Sequence, residues 1–124
     1  MSDDLATTQH VAAVLATLAS WRRRHQLTAH QGEVLVQLHA AGAITAAEVC
    51  RVIGITTASM TRIVAHLEHD GWVLRVRDDA DARRLILQPT KQLARAIDEL
   101  EHDLETAFVA EPAAAPARSI RRKG

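Results

Sequence analysis

Between Thr45 and Gly71, helix starts and stops follow one another so closely that the chain must turn sharply on itself. Thr45-Ala46-Ala47-Glu48 has the form of a capping box, in which a Thr and an acid three residues later satisfy each other's free backbone N–H groups. Val49, Val52 and Ile53 supply an apolar stripe, and Gly54 closes the helix after about two turns. Only Gly54 and Ile55 separate this stop from Thr56, a further N-cap, after which Met60, Ile63, Val64 and Leu67 trace one helical face toward Gly71. Two short helices joined by a tight glycine turn form a helix-turn-helix.

What flanks this pair follows the same rules. Upstream, Val11, Val14, Leu15, Leu18 and Trp21 recur at helical spacing within 5–24, and Arg22, Arg23 and Arg24 suit a helix C-terminus. Thr28, with Gln31 following, opens a second helix whose stripe is Val34, Leu35 and Leu38 and whose stop is Gly42. Downstream of Gly71 the period changes. Trp72, Leu74 and Val76 alternate with Val73, Arg75 and Arg77, and Leu85, Ile86 and Leu87 form a second β-prone run across the polar loop Asp78-Asp79-Ala80-Asp81-Ala82. Pro89-Thr90 returns the chain to helix over about 90–109, with Leu93, Ile97, Leu100, Leu104 and Phe108 as a narrow seam of the kind that pairs with another chain. The predicted fold class is mainly α with a small β-hairpin (α+β): a winged helix-turn-helix with flanking N- and C-terminal dimerisation helices.

The bulk numbers allow one domain, placed at 1–111, in a chain of 124 residues. Formal net charge is +0, yet the charge is segregated. Arg51, Arg62, Arg75, Arg77, Arg83, Arg84, Lys91 and Arg95 outnumber the acids among them, whereas 98–111 is acidic without any Lys or Arg. Pro112 is expected to end the last helix, leaving 112–124 as a flexible basic tail. A lone cysteine, Cys50, excludes an internal disulfide or a paired zinc motif and reads as a core thiol. Met1-Ser2-Asp3-Asp4 is acidic where a signal peptide is basic, and no apolar run reaches the roughly 18 residues of a membrane span. The expectation is a cytoplasmic protein without membrane contact. No nucleophile elbow, phosphate loop or zinc-protease motif occurs, so the expectation is no enzyme, no metal and no cofactor. The acids of 98–105 read as exposed flanks of the apolar seam.

Over roughly 27–104 the sequence resembles the MarR family of bacterial regulators. The resemblance is carried by Leu27-Thr28, by Ile44-Thr45-Ala46-Ala47-Glu48-Val49, by Met60 to Glu68 running into Gly71-Trp72-Val73-Leu74-Arg75, and by Asp81-Ala82-Arg83 ahead of Thr90. It implies a homodimer whose recognition helices, at about 56–70, enter successive major grooves of double-stranded DNA while the wing, about 72–88, brings Arg83 to a minor groove. Repression, often relieved by a small aromatic ligand, is also implied; a ligand-sensing regulator with its pocket between the first helix and the DNA-binding lobe is a further alternative. Two departures stand out: Pro89 replaces the apolar residue usual before the Thr, and no sixth helix follows the fifth.

The residues themselves suit that chemistry. With Met60, Ile63, Val64 and Leu67 inward, the opposite face presents Ala58, Ser59, Thr61, Arg62, Ala65, His66 and His69. Arg62 can pair with guanine O6 and N7, Ser59 or Thr61 can bond to bases or phosphates, and the methyl groups of Thr57 and Ala58 can touch thymine. Arg83 has the length and charge for a narrow minor groove, or can form a surface ion pair with Asp81, or both. Arg75, Arg77 and Arg84 are placed for phosphates, with a structural ion pair as the alternative for Arg75. A second class of function is a winged-helix interaction module that holds a protein partner and lacks sequence-specific DNA binding.

Overall fold

The computed structural model describes residues 2–114, and side chains within 4–108. Its elements are α1 (Ser2–Arg24), α2 (Ala29–Ala41), β1 (Ile44–Thr45), α3 (Ala46–Ile53), α4 (Thr57–His69), β2 (Val73–Arg77), β3 (Leu85–Pro89) and α5 (Lys91–Ala114). The basic tail expected from 112 onward falls largely on 115–124, outside the described residues, and α5 runs on to Ala114 where a stop at Pro112 was expected.

Each helix of the middle segment starts where a side chain can cap it. Thr28 and Gln31 form a reciprocal capping box on α2. Thr45 and Glu48 do the same on α3, and Thr56 accepts from the Ser59 N–H on α4. Each such cap is worth on the order of 1 kcal/mol. Gly54 ends α3 in the left-handed conformation, φ 73° and ψ 38°, which only a residue without Cβ adopts at little cost.

The sheet is three-stranded and antiparallel, ordered β1-β3-β2. The sequence predicts only the hairpin; β1 is two residues long and shows no alternation of its own. It exists because Ile44 and Thr45 pair with Leu87 and Ile86, a tertiary partnership invisible locally. The faces of the hairpin also differ from a simple reading of the alternation. Val73 is buried while Leu74 and Val76 are exposed, so Arg75, paired with Leu87, lies on the inward side of β2.

One core joins all of this. Trp21, Val34, Leu35, Leu38, Val49, Met60, Val64, Leu67, Val73 and Leu87 are essentially inaccessible, and Leu93, Ile97 and Leu100 of α5 belong to the same cluster. The first half of the predicted inter-chain seam is therefore consumed inside the chain, because α5 lies along α1 and over α2. The Trp21 indole N–H donates to the Ala96 carbonyl at 2.9 Å, fixing the two long helices side by side. At the other end of the wing, the Thr90 hydroxyl lies 2.7 Å from the Gly71 carbonyl and 3.1 Å from that of Trp72, while its oxygen accepts from Leu93 N–H of α5.

Only the C-terminal half of the predicted α1 stripe reaches the core. Val14 and Leu18 are half-buried, but Leu5, Val11 and Leu15 are exposed, as is Phe108 on α5, whose ring meets His10 of α1 edge-on at 5.4 Å. The acids of 98–105 are likewise not simply solvated. Arg24 binds Glu99 at 3.1 Å and Asp103 at 2.6 Å, and His25 meets Glu99 at 2.7 Å while packing edge-on between Trp21 and Trp72. The hydrogen bond to Asp103 is the first cause holding the Arg24 guanidinium above its usual range.

A candidate nucleic-acid interface

Helix α4 buries Met60, Val64 and Leu67 and turns Thr57, Ala58, Thr61, Arg62, Ala65, His66 and His69 outward. Ser59 is half-buried beside the cap. The Thr61 hydroxyl donates to the Thr57 carbonyl at 2.9 Å, which leaves its oxygen as an acceptor. Among the described residues Arg62 enters no ion pair, so its guanidinium stands free on the outer face.

The wing is built differently. Asp78 accepts from the Ala80 N–H at 2.9 Å, a local turn bond, and its other oxygen holds Arg84 at 3.1 Å. Asp81 accepts from both the backbone N–H and the Nε of Arg83, each at 3.1 Å, with Nη2 of the same guanidinium 3.4 Å from its second oxygen. The Arg83 side chain bonds pull the Asp81 carboxyl below its usual range, with the backbone bond as the next contribution. Even so pinned, the Arg83 side chain is 92% exposed. The ion pair and the reach into solvent thus coexist.

Arg75 takes the structural alternative. Its Nε lies 2.8 Å from Glu68, tying the base of the wing to the last turns of α4. Arg77 points along the hairpin toward the Ala82 carbonyl at 3.5 Å. Arg75, Arg83 and Arg84 border a cleft of about 320 Å³ between α3, α4 and the wing, whose walls include Ala46, Cys50, Met60, Val64 and Leu85. Cys50 is half-buried there, its Sγ 3.9 Å from the Thr56 carbonyl. A smaller hollow of about 180 Å³, lined by Leu18, Trp21, Gly32 and Val36, lies between the first helix and α2.

Sequence reasoning missed a third surface. Thr28, His30 and Gln31 from the start of α2 come alongside Ser59, Arg62 and His66 of α4. Thr28 and Gln31 are legible as a cap, but their nearness to α4 depends on how the helices pack. Among the described residues no group of three or more metal-binding side chains converges. No helix there is long and apolar enough to cross a membrane.

Two helices in a helix-turn-helix, the second with a polar outer face, beside a hairpin carrying an exposed arginine, define a winged-helix domain. Comparison with known proteins points to a family: the sequence profile of the MarR family matches residues 27–85. A Bacillus subtilis protein named as an uncharacterised HTH-type transcriptional regulator, YcgE, is 36% identical over 74 residues, 54% of this chain and 48% of its own length. The chain thus spans about half of that relative. Among solved structures, a mutant of MarR from E. coli complexed with operator DNA superposes with a TM-score of 0.67 at 19% identity, covering 95% of this chain and 84% of that one. NadR in complex with 4-hydroxyphenylacetate gives 0.71 at 20% identity, covering 94% and 82%. These likenesses confirm the winged-helix fold.

Proposed function

We propose that this protein is a transcriptional regulator of the repressor type that binds double-stranded DNA sequence-specifically as a homodimer. The observation that carries the reading is the pairing of a free Arg62 on the outer face of α4 with an Asp81-pinned, almost fully exposed Arg83 on the wing. In this reading α4 enters the major groove, where Arg62 recognises guanine and Thr57, Ala58, Ser59, Thr61 and His66 contact base edges or backbone. Arg83 enters the adjoining minor groove, whose negative potential favours a guanidinium. Arg77 and Arg84 serve the backbone, and Arg75, already paired, holds the wing against α4.

Two further features support parts of the proposal. Leu5, Val11 and Leu15 on α1, with Phe108 on α5, form exposed apolar surface of the kind that a second copy covers. The cleft beside α4 has apolar walls and a guanidinium rim, which suits a small aromatic carboxylate, the class to which the NadR ligand belongs. A ligand there would act on the wing and the recognition helix together.

The test is selection from a pool of random duplexes, followed by affinity measurements on the recovered sequence with the parent and with Arg83→Glu. Enrichment of a palindrome, with affinity falling by at least an order of magnitude in the variant, is the expected result. Unselective binding, or full retention of affinity by Arg83→Glu, would remove the regulator reading and turn attention to a protein partner.

A further inference from the structure

The groove between α2 and α4 holds an unassigned set of donors. It measures about 300 Å³ and is lined by Thr28, His30, Gln31, Ser59, Arg62 and His66, with Ile63 as its floor. His30 and His66 are both exposed. Arg62 and His66 stand one turn apart on the outer face of α4, so the groove opens on the side by which α4 would meet DNA. The end of α2 is not itself the source of donors. The Thr28 hydroxyl accepts from the Gln31 N–H at 3.2 Å and the Gln31 side chain accepts from the Thr28 N–H at 2.9 Å, closing the cap on itself. What the groove offers an anion is therefore the guanidinium and the imidazoles.

The surrounding charges leave that offer largely uncancelled. From α2, Glu33 lies 3.9 Å from His30, at the outer limit of an ion pair between half-exposed side chains. On α4, Glu68 is tied to Arg75 at 2.8 Å, and His69 continues the outer face one turn beyond His66. Asp70, the C-cap of α4, lies past that turn.

We infer that this groove seats a phosphodiester of the DNA backbone between His30 and His66, with Arg62 beside it reaching on to the base edge. The inference rests on the DNA-binding reading above and adds a property to it. Histidine is the side chain whose charge changes within the range of about pH 5 to 8. A phosphate held by two imidazoles is bound by charge-assisted bonds when they are protonated and by neutral ones when they are not. DNA affinity is then linked to pH through this groove.

The experiment compares the parent with the double variant His30→Gln/His66→Gln, in which the side chains still hydrogen-bond but carry no charge at any pH. The probe is the duplex recovered by selection or, where none is recovered, a mixed-sequence duplex at low salt. Binding is measured at about pH 8 and pH 6. The parent is expected to tighten by roughly tenfold on acidification, the scale of one hydrogen bond gaining a charge. The double variant is expected to bind no more tightly than the parent at the higher pH, since His66 belongs to the DNA-contacting face, and to lose the tightening on acidification, while His69→Gln keeps it. Both sites are exposed, and matching thermal melts establish that the variants fold. A parent that binds at both pH values without tightening, or a double variant that tightens as the parent does, overturns the groove assignment and leaves the regulator reading intact. A parent that binds no duplex at either pH overturns both.

Discussion

Arg83 illustrates how one side chain can be fixed and available at once. Asp81 grips its backbone N–H and its Nε, yet the guanidinium keeps donors facing solvent. The role of Asp81 is to remove conformations in advance, so that less entropy is lost when the arginine engages a partner. Asp81→Asn keeps an acceptor but loses the charge, and should weaken DNA binding by severalfold, less than Arg83→Ala, in titrations at fixed salt. Equal losses in the two variants would mean that Asp81 does more than orient. At this scale the sequence is informative about placement: the Asp81–Arg83 pair and the outward position of Arg62 are both legible in local pattern. The role of Arg75 is not legible in the sequence because its partner, Glu68, lies on another element, and only packing decides between phosphate and carboxylate.

At the scale of elements, the caps explain why the chain breaks into short helices where it does. Thr45 is the most constrained of them. It is buried, its backbone N–H and its hydroxyl both donate to Glu48 Oε1, and it also belongs to β1. Thr45→Ala should cost about 1 to 2 kcal/mol in a urea melt, since it deletes a cap and leaves the Glu48 carboxylate with fewer donors. The Thr45 backbone bond, followed by its hydroxyl bond, holds the Glu48 carboxyl below its usual range. A carboxyl lowered by folding adds stability that is complete above its unfolded value and lost as pH falls through the folded one. The Glu48 contribution should therefore be lost as pH falls below the ordinary glutamate range, about 4.3, and Glu48→Gln should flatten the low-pH limb of the stability profile in urea melts. Helices were legible because caps and 3.6-residue spacing are local signals. Strand β1 was not, since a pair of residues carries no period, and the facing of β2 was not, because Leu74 and Val76 look like core in sequence and lie on the outside in the fold.

The whole molecule is organised around α5. Its first turns complete the core, whereas Phe108, like Leu5, Val11 and Leu15 of α1, is exposed. The sequence pattern of α5 could not separate these uses, because burial against one's own chain and burial against a copy demand the same residues at the same spacing. Leu15→Glu is expected to leave the melting temperature of the core within a few degrees and to convert a dimer to a monomer in light scattering, with loss of DNA affinity to match. A variant that stays dimeric would place the interface elsewhere.

Thr90 has a consequence that extends beyond its own hydrogen bonds. One hydroxyl both starts α5 and clasps the carbonyls of Gly71 and Trp72 where β2 begins. Helix and hairpin therefore share an anchorage, with no compliant linker between them to absorb a displacement. If two copies join through their long helices, the spacing between their wing tips is set at this anchorage as well as by the loops that carry the tips. A sideways shift at the subunit junction would then be read out as a change in span, in the way that the hinge of a pair of dividers sets the distance between its points.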